Sequence, residues 1–255
     1  MENYQGYLID LDGTMYRGVE KIEEALQFVE KLKEQGIPYL FVTNNSSKRP
    51  EQVAQVLKNF GLETRTDQVF TTSMATANFL HEKQPGASVY AIGGEGLQSA
   101  LSEKGFELVD EKADAVVIGL DREITYEKLA KACLAVRNGA TFISTNGDIA
   151  LPTERGFLPG NGALTSVISV STQTEPIFIG KPHAIIVEQA LAQIGTSKES
   201  TLMVGDNYDT DILAGIQAGL DTLLVHTGVT TREMLIEKMV QPTYVVDSLA
   251  DWKFE

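Results

Sequence analysis

The feature that most restricts the fold is a set of strand-length runs that are apolar from end to end and stop on a polar residue. Tyr7-Leu8-Ile9 runs into Asp10, Tyr39-Leu40-Phe41-Val42 into Thr43, and Leu202-Met203-Val204-Gly205 into Asp206. A strand with one wet face alternates apolar and polar residues, whereas unbroken apolar runs belong to a parallel sheet covered on both faces. Between the runs lie amphipathic stretches of helical length at residues 22–35, 50–60 and 211–218. This repeated strand, helix, strand order predicts an α/β fold around a Rossmann-like parallel sheet.

A second set of such elements sits in the middle of the chain. Residues 87–93, 115–120 and 141–145 read as strands, and residues 126–138 as a helix. The expectation is a discontinuous core, residues 1–75 and 178–255, interrupted by an α/β domain at residues 76–177. A chain of 255 residues, 43% of them hydrophobic, is long enough for one or two domains at about 150 residues each.

Charge narrows the partners. With 35 acidic and 21 basic residues the formal charge is -14, which repels nucleic-acid backbones and anionic lipid surfaces, so neither nucleic acid nor membrane is expected as a partner. A small phosphorylated substrate faces the same repulsion unless a local cation offsets it. The single cysteine, Cys133, excludes an internal disulfide and a zinc site of paired thiolates, and its helical apolar setting predicts a buried, inert thiol. The chain starts without a basic segment leading into an apolar run, and no stretch reaches the roughly 18 apolar residues of a membrane span. A cytoplasmic protein is expected.

Open parallel sheets bind ligands beyond the carboxyl ends of their strands. The residues found there are Asp10 and Asp12, Thr43 and Asn44, and Asp206. Asp10 and Asp12, two positions apart with Gly13 to turn the chain around them, suit a hard divalent cation such as Mg²⁺, to which Asp206 can add a ligand. Lys181, after Ile177-Phe178-Ile179-Gly180, can offset phosphate charge. An ordinary Asp-Gly turn and a solvated lysine are the plainer readings of the same residues.

The order of these pieces resembles the haloacid dehalogenase superfamily. Its four signatures are matched by Asp10-Leu11-Asp12-Gly13-Thr14, by Thr43, by Lys181, and by Gly205-Asp206-Asn207-Tyr208-Asp209-Thr210-Asp211. Phe41-Val42-Thr43-Asn44-Asn45-Ser46 and Gly180-Lys181-Pro182, separated by a cap-sized insertion, look like the NagD-type phosphatases with a class IIA (type C2) cap. The resemblance implies a phosphomonoesterase in which Asp10 attacks phosphorus to give an aspartyl-phosphate and Asp12 acts as general acid and base. It implies Mg²⁺ held by the carboxylates of Asp10 and Asp206 and the backbone carbonyl of Asp12. It assigns phosphate contacts to Thr43, Asn44, Asn45 and Lys181, and leaves Asp211 either to cap its helix or to support the metal ligands. The presence of Asp12 disfavours dehalogenation, which needs no proton for its leaving group.

The implied substrates are small phosphorylated metabolites: sugar or acid-sugar phosphates first, then nucleoside monophosphates or pyridoxal phosphate. A non-catalytic sensor of a phosphometabolite is the alternative on the same fold, and pairing through the cap leaves a homo-oligomer open. Residues 146–160, polar and rich in Gly and Pro, read as a recognition loop with Asn146, Asp148 and Arg155 as candidate substrate contacts, Arg155 being equally able to pair with Glu154 or Asp148. Gly93-Gly94-Glu95-Gly96 misses the dinucleotide-binding spacing and reads as a turn opening a helix. His81, His183 and His226 lack metal spacing, although His183 is near Lys181.

Overall fold

In the computed structural model, which describes residues 4–153 and 155–254, the apolar runs form the strands at the centre of the molecule's main sheet. Gly6–Ile9, Tyr39–Thr43 and Thr201–Gly205 are buried at every position. Gly6–Ile9 lies between the other two, with Tyr7 opposite both Leu202 and Tyr39, and both pairings are parallel. The six-stranded sheet runs in the order Tyr244–Val246, Asp221–Val225, Thr201–Gly205, Gly6–Ile9, Tyr39–Thr43, Val69–Thr71. The chain therefore leaves Gly6–Ile9 to one side and later builds the other side. Such a reversal opens a crevice at the carboxyl ends of the strands that flank it.

The helix Glu23–Glu34 shows why the intervening segments cover this sheet. Ala25, Leu26, Phe28, Val29 and Leu32 are its buried residues, a spacing that puts them on one stripe of a 3.6-residue repeat. Glu23 and Glu24 occupy the first turn and Lys31 and Lys33 the last, each sign stabilised by the end of the helix dipole it faces. Gly36, at φ +68°, reverses the chain into the next strand. That backbone angle suits glycine because it carries no Cβ.

The chain divides into two units: one comprises residues 1–43, 53–70 and 181–255, the other residues 44–52 and 71–180. The second unit has its own five-stranded sheet, ordered Ile177–Phe178, Thr141–Ser144, Ala115–Ile118, Ser88–Ile92, Glu107–Leu108, again with parallel pairings. Tyr90, Ile92, Val116, Ile118, Ala132, Val136, Phe142 and Ile168 form its core. The short segment 44–52 belongs with this unit through specific bonds. The Ser46 hydroxyl accepts the Leu120 N–H at 3.1 Å, and the Ser47 carbonyl accepts the Gly96 N–H at 3.0 Å.

Three local expectations change. Residues 146–160 are not an open loop: Ala150–Thr153 and Gly156–Pro159 pair as an antiparallel hairpin. Pro152 and Pro159 masked it, since proline argues against a strand except in a ribbon with free edges. Cys133 is half-buried rather than buried. The helix Tyr126–Arg137 buries Ala132 and Val136, and position 133 is turned one step off that seam, beside Leu134 at 61% exposure. Finally, the helix expected from Asp211 begins earlier, with a π-type turn at Tyr208–Ile212 followed by an α-helix at Leu213–Ala218. Gly93-Gly94 does open a helix, Glu95–Glu103, with Gly94 at its N-cap.

Candidate active site

Two strand ends and the turn that follows the second bring the acidic residues together within the first unit. Asp10 follows Gly6–Ile9, its N–H bonded to the Val204 carbonyl at 2.9 Å, and Asp206 follows Thr201–Gly205. Asp10, Asp206 and Asp211 are all buried, and one oxygen from each lies within 4.8 Å of the others. Lys181 is 2% exposed, so the solvated-lysine reading is excluded. Its ammonium donates to the Asp10 carboxylate, to Asp211 at 2.8 Å and to the Val42 carbonyl at 3.0 Å. Thr43, also buried, ends the neighbouring strand.

Asp12 parts company with Asp10. The chain has already left the strand at Leu11 and turns at Gly13, φ +91°, and the Asp12 side chain is exposed where Asp10 is buried. One carboxylate of the pair is therefore desolvated and held, while the other reaches solvent. Asn44 and Asn45 fall in the second unit. The Asn45 side-chain oxygen accepts the N–H groups of Ser47 and Lys48 at 3.0 and 2.9 Å, shaping the turn after Thr43.

Asp211 is bound on both of its carboxylate oxygens. One oxygen receives Lys181, and the other accepts the Asn207 N–H at 3.0 Å. The wider π-type turn accompanies this bend back towards the strand end, as such turns often do at functional sites. Gly205 is required there, because a Cβ would collide with the Asp211 side chain. Asp209, by contrast, is exposed and paired with Lys238 at 2.6 Å.

Several supporting residues carried no assigned role in the sequence. The Thr14 hydroxyl lies 3.5 Å from Asp10 and 3.2 Å from Asp206. The loop after Asp221–Val225 grips Asp206: the Val229 N–H donates to its carboxylate at 2.7 Å and the Thr230 N–H to its carbonyl at 3.1 Å. Gly13 and Gly228 both face Asp206, and a Cβ on either would collide with its carboxylate. Thr14 lies inside the Asp-Leu-Asp-Gly-Thr motif and could have been suspected. The loop at 227–230 carries no such signal, since its role depends on folding against a residue more than twenty positions away.

Electrostatics say what the site lacks. Three buried carboxyl groups share one ammonium, so full ionisation would leave two negative charges in excess. Burial first, then the neighbouring charge of Asp211, hold the Asp10 carboxyl well above the usual carboxylate range against the opposing pull of Lys181. The same two causes push Asp206 up to about 6, although the Val229 N–H and Thr14 favour its charged form. Burial alone would lower the Lys181 ammonium, but Asp10 and Asp211 reverse this and raise it, so it stays charged. The donor set fits a hard dication: buried carboxylate oxygens with an excess of two negative charges are what Mg²⁺ takes.

The chain matches the family described as haloacid dehalogenase-like hydrolase over residues 7–107 and a HAD-hydrolase-like family over residues 178–252. It is 62% identical over 252 residues to a Bacillus subtilis protein named 5'-nucleotidase YutF, covering 99% of this chain and 98% of that one. An acid sugar phosphatase of Staphylococcus aureus is 56% identical over 245 residues, 96% of this chain and 95% of the relative. Among solved structures, a mutant of the thermostable p-nitrophenylphosphatase from Bacillus stearothermophilus superposes with a TM-score of 0.92 at 64% identity, covering all of both chains. With relatives this close along its whole length, and with the acidic cluster and lysine in place at the sheet's switch point, the chain belongs to the haloacid dehalogenase-like hydrolases.

Proposed function

We propose that this protein is a Mg²⁺-dependent phosphomonoesterase of small phosphorylated metabolites that works through an aspartyl-phosphate on Asp10. The observation that carries the reading is the buried group of Asp10, Asp206 and Asp211 around Lys181, a site short of positive charge. The carboxylates of Asp10 and Asp206, with the main-chain carbonyl of Asp12, would hold Mg²⁺, which neutralises that excess and draws electron density from the phosphoryl group.

The chain's own residues carry the steps. The Asp10 carboxylate attacks phosphorus, forming an O–P bond as the bond to the ester oxygen breaks, and Asp12 gives that oxygen its proton. Water then attacks the aspartyl-phosphate and passes a proton to Asp12, and cleavage of the acyl-phosphate bond releases inorganic phosphate. Lys181 holds one Asp10 oxygen and keeps the nucleophile from turning. Thr43 and the N–H of Asn44 receive the non-bridging phosphoryl oxygens, so that fixed dipoles meet the charge that spreads during transfer.

The unit of residues 44–52 and 71–180 acts as the cap that selects the substrate and shelters the reaction from bulk water. Phosphorylated sugars and sugar acids are the first substrate class, supported by the staphylococcal relatives. The name of the Bacillus subtilis relative supports nucleoside monophosphates as a second class. No helix among the described residues is long and apolar enough to cross a membrane, and a cytoplasmic site of action completes the proposal. Release of p-nitrophenol from p-nitrophenyl phosphate should require Mg²⁺, stop with EDTA, and disappear in Asp10→Asn. Full activity in that variant would remove Asp10 as nucleophile. A panel of phosphate esters ranked by kcat/KM then separates the two substrate classes.

A further inference from the structure

The turn after the Thr141–Ser144 strand reads, from sequence, as a place where the cap touches substrate. Its polar atoms are instead bound inward. Asn146 is buried, and its side-chain NH₂ donates to the Asn44 carbonyl at 2.8 Å. Its side-chain oxygen accepts the Asp148 N–H at 3.1 Å, and the Asp148 carboxylate receives the Asn44 side-chain amide at 3.2 and 3.4 Å. These bonds form a closed ring that fixes both the backbone and the side chain of Asn44, the residue covalently next to Thr43.

The turn itself is anchored from behind. The buried Asn161 donates to the Asn146 carbonyl at 2.8 Å, and the Ser144 hydroxyl donates to the same carbonyl at 3.0 Å. The turn also meets the other segment that leads to a site residue: the Gly180 N–H donates to the Thr145 carbonyl at 2.8 Å. A Cβ on Gly180 would strike the Asn44 side-chain oxygen and the Thr145 carbonyl, so only glycine lets these backbones come so close. Gly180 immediately precedes Lys181. One turn thus braces the chain a single residue from Thr43 and a single residue from Lys181.

We propose that Asn146 and Asp148 are positioning residues of the phosphate-binding loop: by holding the Asn44 carbonyl and side chain they fix the Cα that carries the Asn44 N–H, rather than contacting the leaving group. The proposal rests on the phosphatase reading and deepens it. A backbone N–H stabilises a phosphoryl oxygen efficiently only if its peptide is already oriented, because reorientation would otherwise be charged to the transition state. Every ester shares the phosphoryl group, so loosening this loop penalises all substrates alike. Loss of a leaving-group contact penalises them selectively.

The test uses the Mg²⁺-loaded full-length enzyme and the variants Asn146→Ala, Asp148→Ala and Asp148→Asn. Substrates are p-nitrophenyl phosphate, a hexose phosphate and a nucleoside monophosphate, with inhibition by inorganic phosphate measured alongside. Asn146→Ala and Asp148→Ala should lower kcat/KM by about tenfold or more, by the same factor for all three esters, with a comparable weakening of phosphate inhibition. Asp148→Asn, which keeps an acceptor for Asn44, should stay within about threefold of wild type. Losses that differ among the esters by more than about tenfold, or a lowered Tm with phosphate inhibition unchanged, overturn the proposal. Should Asn146→Ala fail to fold, the half-buried Asp148 pair decides on the same criteria. A wild-type enzyme inactive on all three esters overturns the phosphatase reading itself, and this assignment with it.

Discussion

Replacing Lys181 with methionine isolates the charge imbalance on which the site is built. The substitution keeps an unbranched chain of similar length but removes the ammonium that binds Asp10, Asp211 and the Val42 carbonyl. Taking away one partner of a buried ion pair costs about 3–5 kcal/mol, because the remaining charge is left uncompensated. For units of this size about 1 kcal/mol moves Tm by about 2–4 °C, so the metal-free catalytic unit should melt about 6–20 °C lower at pH 7.5. The penalty should shrink towards pH 5, where Asp206, at about 6, takes up a proton, and shrink again when Mg²⁺ replaces the lost positive charge. Circular dichroism melts at both pH values, with and without Mg²⁺, make the measurement. A variant as stable as wild type at pH 7.5 without metal would refute the reasoning.

Mg²⁺ itself should raise Tm by about 5–10 °C at one hundred times its dissociation constant, the equivalent of about 2.7 kcal/mol. That rise should be larger at pH 7.5 than at pH 5. The raised Asp206 value means that this group favours the folded metal-free state fully only below the ordinary carboxylate range, an advantage lost as pH climbs through about 6; equal shifts at the two pH values would count against a carboxylate metal site. Gly228→Ala should weaken Mg²⁺ activation by about 10- to 100-fold, because the new Cβ displaces the Asp206 carboxylate, and a titration of activity against Mg²⁺ reads this directly. Asp12→Asn should slow hydrolysis of a sugar phosphate by about 100-fold or more but p-nitrophenyl phosphate by less, since p-nitrophenolate departs without needing a proton. Equal losses on both esters would argue that Asp12 is not the general acid.

Much of the candidate site is legible in the sequence because its main members stand at the ends of unbroken apolar runs. That pattern is local. Burial on both faces makes a strand apolar throughout, and the first polar residue after it emerges at the carboxyl edge of the sheet, where Asp10, Thr43 and Asp206 are found. Proline defeated the same local logic at residues 150–159, where a hairpin formed despite Pro152 and Pro159. The half-buried Cys133 shows how a helical stripe fixes the buried face only to within one position.

From the residues alone come the α/β rhythm and the polar groups that end its strands. How the site is held comes from folding: Asp211 against Lys181, the loop of Val229 and Thr230 around Asp206, and Asn146 with Asp148 around Asn44. Each of these contacts joins positions far apart in the chain, where neither periodicity nor turn chemistry leaves a trace. A residue type and its neighbours set local backbone preference, whereas a buried charge or amide takes its partner from whatever the completed packing brings within hydrogen-bond reach.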